Sequence, residues 1–252
     1  MAVSCVLHGV VHTLSYMHKI IHRASSRGQS DHGWLKSHFS FSFAEWYEPA
    51  RMGFGKLRVI NDDLIAPLGK FGMHPHQNFE IITIVLKGAV THEDSMDNSG
   101  EIHEGEVQVM SAGIGIVHSE YNASTTEPLS LFQIWIAPNV QGAKPRYAQK
   151  AFDAASRKNA WQLMVAEDGI EGALAIYQQA RISRADLATG NSLSYTIAHP
   201  GNGVYVLVIE GDVSIAGEEL GRRDAIGLSD VAEFSLSAAT DSSILLIEVP
   251  VP

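Results

Sequence analysis

Turn-forming residues return at short intervals through the first half of the chain and confine it to short extended segments. Lys87-Gly88, Asp97-Asn98-Ser99-Gly100, the glycines Gly113 and Gly115, Ser124 to Pro128 and Ala137-Pro138-Asn139 leave room between them for single strands. Glycine supplies left-handed backbone, proline fixes φ, and asparagine and aspartate bond their own backbone, so each punctuates the chain for its own physical reason. Glu80 to Leu86 is an almost continuous aliphatic, β-branched run, as a central strand buried on both faces requires. Ser37 to Phe43 alternates polar and aromatic residues, which puts Phe39, Phe41 and Phe43 on a core face and His38 on the opposite one. Lys56 to Ile60 predicts another strand, Asn61-Asp62-Asp63 a turn, Pro67 to Gly72 a loop, and Gln149 to Lys158 a short helix. The fold class expected is all-β, a sandwich or barrel rather than βαβ units.

The chain also echoes itself. Residues 84 to 90, IVLKGAV, resemble 207 to 213, LVIEGDV; GEVQVMS at 105 to 111 resembles RDAIGLS at 223 to 229; IWIAP at 134 to 138 is answered by IEVPVP at the end. Three echoes in one order predict two copies of one β-fold, divided between Pro138 and Trp161. The 252 residues suffice for two modest domains.

Bulk properties narrow the function classes. A formal charge of -10 argues against direct nucleic-acid binding, which rests on cationic contacts to phosphate. No apolar run approaches a membrane span, and Cys5 as sole cysteine allows no intrachain disulfide, which together suit a cytoplasmic protein. Residues 1–16 lack a basic opening and a cleavage signal and read as an N-terminal extension ahead of Met17.

Against this background two short stretches carry chemistry. His74-Pro75-His76 and His118-Ser119-Glu120 each present two donors two residues apart, and in a strand such residues share a face. Each pair can aim at one ion. Three neutral imidazoles and one carboxylate suit a first-row divalent metal and leave positions open for substrate. Ordinary strand histidines are the plain alternative, and the chain holds 12. Glu80 shares parity with His76 and is a second candidate carboxylate. In the second copy the corresponding positions are Ile197, His199, Leu236 and Ala238, so that copy is expected to hold no metal.

From about Met17 to its end the chain resembles the pirin family of metal-binding bicupins. The resemblance is carried by His32-Gly33-Trp34-Leu35, Phe41-Ser42-Phe43-Ala44, Arg58-Val59-Ile60-Asn61-Asp62-Asp63, His74-Pro75-His76, Asp94-Ser95-Met96 and Met110-Ser111-Ala112-Gly113 leading to Val117-His118-Ser119-Glu120-Tyr121-Asn122. Gln133-Ile134-Trp135-Ile136 and Pro145-Arg146-Tyr147 extend it. It implies two jelly-roll cupin domains packed face to face, residues 17–145 with the metal and residues 146–252 without. It implies Fe²⁺ on His74, His76, His118 and Glu120, with Mn²⁺, Co²⁺, Ni²⁺, Cu²⁺ and Zn²⁺ also compatible with such donors. Glu80 is then a hydrogen-bonding neighbour or an alternative ligand.

The activity implied is cleavage of a flavonol such as quercetin with dioxygen and release of carbon monoxide, the flavonol proton passing to Glu120 or to a hydroxide at the site. Phe71, Met73, Asn78 and Asn122 are expected to line the pocket, and Phe79 to pack in the core. The other function class implied is a metal- or redox-dependent module that binds a protein partner.

Overall fold

The structure, a computed structural model, describes residues 17–252; the expectations for residues 1–16, Cys5 included, lie outside the described residues. Two sandwiches follow one plan. In the N-terminal half a seven-stranded sheet runs, in spatial order, Arg146–Ala151, Glu106–Ser111, Glu80–Lys87, Leu129–Ile136, Leu57–Ile65, Leu35–Phe39 and Gly28–Asp31. A four-stranded sheet of Lys70–His76, Ile116–Asn122, Ala89–Asp94 and Ser99–His103 covers its outer face. The C-terminal half repeats the order with His18–His22, Ala225–Ser229, Asn202–Glu210, Ser242–Pro250, Arg181–Leu187, Gln162–Glu167 and Leu174–Ile176. Its outer sheet is Ser192–Thr196, Glu233–Ala238, Val213–Ile215 and Glu218–Leu220. The sequence echoes fall on equivalent strands.

Strand pleating explains the layering. Ile82, Ile84, Phe132, Ile134 and Ile136 of one inner sheet share a core with Leu207, Leu245, Ile247 and Val249 of the other, so the two seven-stranded sheets pack face to face. Alternate residues on the same strands, Ile81, Val85 and Leu131, point outward into the N-terminal sandwich. Each fully buried aliphatic or aromatic side chain contributes about 1.5–3 kcal/mol, so strands buried on both faces dominate the stability. The run from Glu80 is such a strand, buried from Glu80 to Val85.

Around the expected division at residue 145 the halves exchange edge strands. Arg146–Ala151 pairs with Glu106–Ser111 of the first sheet, while His18–His22 pairs with Ala225–Ser229 of the second. The helix expected over Gln149 to Lys158 is that edge strand followed by a single 3-10 turn, Ala154–Arg157. The turn expected at Asn61-Asp62-Asp63 is instead the middle of the Leu57–Ile65 strand. Tertiary partners override the local turn preference there: Asp62 pairs with Arg27 at 3.0 Å and with Arg223 of the second half at 2.9 Å, and Asp63 accepts from Ser37 Oγ. Among the described residues no helix is long and apolar enough to cross a membrane.

The exchanged strand His18–His22 ends on a buried imidazole. His22 Nδ1 lies 2.9 Å from the Tyr205 hydroxyl, and the His22 ring packs edge-on against Phe41. Burial, assisted by nearby Arg51, lowers the His22 pKa to about 4. The folded state therefore favours the neutral ring, and its contribution to stability is complete above the unfolded value of 6.5 and is lost as pH falls toward 4. The expected loss over that window is about 3 kcal/mol. Thermal melts of wild type and His22→Gln across this range test it: the variant's melting temperature should fall less steeply with acid, and parallel slopes would refute the assignment.

Candidate metal centre

The site sits inside the N-terminal sandwich, where the outer sheet faces the inner one. Ile116–Asn122 is flanked in the outer sheet by Lys70–His76 on one side and Ala89–Asp94 on the other. His118 stands opposite His74 in one ladder and opposite Asp94 in the other, and Glu120 stands opposite His92. Between His118 and Glu120 the register with Lys70–His76 shifts, placing Phe71 opposite Glu120. This bulge turns Phe71 toward the same cavity as His74 and His76. Gly113, at φ 49°, shapes the approach to the His118 strand: a Cβ there would lie 2.0 Å from the Ala143 carbonyl oxygen.

Three imidazoles converge. The His74, His76 and His118 rings are 4.4–4.9 Å apart centre to centre, and one donor nitrogen from each lies within 4.8 Å of the others. Glu120 joins His118 and His92 in a second, overlapping group of the same span, so His118 belongs to both. Hydrogen bonding sets which nitrogens are free. His74 Nδ1–H donates to the Gly72 carbonyl at 2.8 Å, leaving Nε2 as the lone pair. The Asp94 carboxylate accepts from His92 Nε2 at 3.0 Å, so a neutral His92 accepts at Nδ1 from His118 Nδ1–H, 3.4 Å away. Among the described residues His118 Nε2 is left buried with no hydrogen-bond partner, as a nitrogen free to ligate would be.

The electrostatics favour neutral donors. Burial lowers the His76 pKa to about 4, with His74 adding to the effect. Burial and the neighbouring imidazoles hold His118 well below the ordinary imidazole range. Protons therefore compete weakly for these two nitrogens near neutrality. Burial pushes the Glu120 carboxyl up, against the opposing influence of His92, His74, Gln133 and Thr83. A divalent cation beside it would restore the charged form. Thr83 Oγ1, Gln108 Nε2 and Gln133 Nε2 all donate to the two Glu120 oxygens and fix the carboxylate's orientation.

Glu80 is elsewhere. Its carboxylate accepts from Ser111 Oγ at 2.6 Å, and it shares the face of Ile82 and Ile84 that packs against the second sandwich. The parity shared with His76 does not carry over, because the chain leaves the outer sheet after His76 and enters the inner sheet at Glu80. Three residues expected to line the pocket have other surroundings. Met73 points to solvent at 61% exposure. Asn78 closes a turn at φ 53°, its Oδ1 accepting from the Gly142 amide, and Asn122 ties the Ile65, Ala66 and Glu127 carbonyls. Phe79 packs on Trp135, as expected.

The cavity beside His74 and His76 has a volume of about 530 Å³. Its walls include Trp34, Phe39, Phe43, Phe71 and Trp135, with Trp34 edge-on to Phe71 at 5.0 Å. Such a chamber suits a flat apolar molecule with a few polar groups. The residues missed by sequence reasoning are His92 and the glutamines Gln108 and Gln133. His92 and Asp94 carry the same two-residue spacing as the site histidines, which is the signal that would have found them. In the second half Leu236 and Ala238 are buried in an apolar core, and His199 bonds Glu167 at 2.7 Å. Among the described residues, both metal-donor groups fall in the first half.

Comparison with known proteins accords with this geometry. A family model described as Pirin matches residues 20–136, and one described as Quercetinase C-terminal cupin domain matches residues 163–249. Quercetin 2,3-dioxygenase of Escherichia coli K12 is 44% identical over 230 residues, covering 91% of this chain and 98% of that protein. A pirin-like protein of Caulobacter vibrioides is 40% identical over 88% of this chain and 95% of its own length. Among solved structures, YhhW of Escherichia coli superposes with a TM-score of 0.89 at 42% identity, covering 93% of this chain and 99% of that one. Its nickel(II) complex, called a bacterial pirin, gives 0.87 at 41% identity, covering 93% and 100%. The likeness runs through both sandwiches at well over a third identity, and the chain belongs to the pirin family.

Proposed function

We propose that this chain is a metal-dependent dioxygenase that cleaves a flavonol such as quercetin with dioxygen and releases carbon monoxide. The ion would be held by His74, His76 and His118, with Glu120 completing the set. The observation that carries the reading is the buried His118 Nε2, without a hydrogen-bond partner among the described residues, beside two further imidazoles, His74 and His76, that line an aromatic cavity. The names of the Escherichia coli relatives support the substrate class and the use of a metal in this family. Imidazole and carboxylate donors accept several first-row divalent ions, and Fe²⁺ is the ion we propose for the working enzyme.

Such an ion supplies positive charge that favours the deprotonated flavonol and a place where dioxygen is activated. The chain's own residues do the rest. Trp34, Phe71 and Trp135 hold flat rings and limit water. Glu120 is the carboxylate placed to take the flavonol proton, and Gln133, Gln108 and Thr83 keep its oxygens aimed. Asp94 and His92 hold His118 in the tautomer that frees Nε2.

Two measurements test the reading. In calorimetric metal titrations, His118→Ala should abolish tight binding and His92→Gln should weaken it about 10–100-fold, while Glu80→Gln should leave it unchanged. A Glu80 variant that loses metal would return that residue to the ligand set. Aerobic quercetin consumption should depend on added divalent metal, release carbon monoxide and vanish in His76→Ala. Absence of turnover with every correctly bound ion would shift the reading to a protein-binding module.

A further inference from the structure

A row of polar side chains crosses the cavity face of the N-terminal inner sheet. Gln108, Thr83, Gln133 and Asn61 stand opposite one another in register on four neighbouring strands. The first three donate to Glu120. Asn61 continues the row but leaves its Oδ1 buried with no hydrogen-bond partner among the described residues, at 4% residue exposure. Two residues along the same strand and on the same face, Asp63 is 3% exposed and accepts from Ser37 Oγ at 2.5 Å. Both residues line the cavity that also reaches His74 and His76.

An apolar chamber gains nothing from a buried amide and carboxyl on its wall unless something in the chamber bonds to them, since buried polar groups without partners are destabilising. Ser37 satisfies only part of Asp63, because a carboxylate accepts about four hydrogen bonds. The cavity around Asn61 and Asp63 is lined by Leu35, Phe39 and Phe71 and also by the polar Ser30, His32 and Lys70. What is unused on this wall is acceptor capacity, and its complement is a hydroxyl donor. Burial raises the Asp63 pKa to about 7, against the Ser37 bond.

We infer that Asn61 and Asp63 form a specificity subsite that accepts a hydrogen bond from a phenolic hydroxyl on a part of the substrate remote from its metal-binding oxygens. The cavity then selects polyhydroxylated aromatics over the same skeleton without those hydroxyls. The inference rests on the flavonol reading above and deepens it by naming what distinguishes one flavonol from another.

The test uses metal-reconstituted full-length protein and three probes: 3-hydroxyflavone, the same molecule with added hydroxyls on the pendant ring, and the same with added hydroxyls on the fused ring. Dissociation constants are read by fluorescence quenching without oxygen, and kcat/KM with oxygen. In wild type at least one hydroxylated probe should bind about tenfold or more tightly than 3-hydroxyflavone, and the ring concerned is the one that reaches the subsite. In Asp63→Ala and Asn61→Ala that ratio should shrink to about twofold or less, with 3-hydroxyflavone bound as in wild type. Equal affinities for all three probes in wild type would overturn the subsite, and this arm needs no variant to fold. Variants that weaken every probe equally would assign Asn61 and Asp63 a structural role instead. Wild type that neither binds nor turns over any probe would sink the flavonol reading itself, and the subsite with it.

Discussion

The contact between the two seven-stranded sheets governs the architecture. Each sheet commits the centre of one face to its partner, through residues such as Ile82, Phe132 and Ile134 on one side and Leu207, Leu245 and Ile247 on the other. With stability anchored there, the outward face of the N-terminal sheet is free to carry Gln108, Thr83, Gln133, Asn61 and Asp63. A sheet whose only core lay on that face would not tolerate them, since each buried polar group without a partner costs about 1–3 kcal/mol. The exchanged edge strands add to the same contact by tying each half to chain from beyond the other.

The site is assembled from both layers of one sandwich, and the layers contribute different things. The outer sheet supplies the imidazoles and the Asp94–His92–His118 relay, all from adjacent strands. The inner sheet supplies amides and a hydroxyl that hold Glu120, and of these Gln133 also lines the chamber. Donors fixed on paired strands need little rearrangement to meet an ion, which is the advantage of building such a centre on sheets rather than loops. The second sandwich keeps the topology while Leu236 and Ala238 fill the corresponding strand with apolar core. Fold and chemistry are thus separable within one chain.

The strand period was legible wherever one strand was read by itself. His74 with His76, and His118 with Glu120, followed from it, as did the buried run after Glu80 and the paired copies. It failed where the chain changed sheets. Glu80 kept its parity on paper but turned to the opposite sandwich, and Asn61 to Asp63 kept turn-forming side chains while long-range ion pairs with Arg27 and Arg223 held them extended. Asn78 and Asn122 looked like pocket residues by spacing, yet their amides bond backbone in the neighbouring loops.

The sequence by itself determined the all-β class, the internal duplication and the same-face placement of His74 with His76 and of His118 with Glu120, because pleating, turn chemistry and same-face spacing are local properties of a strand. Only the tertiary structure decided that His92 and Asp94 stand behind His118, that Gln133 reaches Glu120, and that residues on either side of the expected domain boundary change places. Those relations depend on which strands become neighbours and in what register. That choice is fixed by burying two sheet faces against each other, a free energy distributed over many side chains rather than written in any one segment.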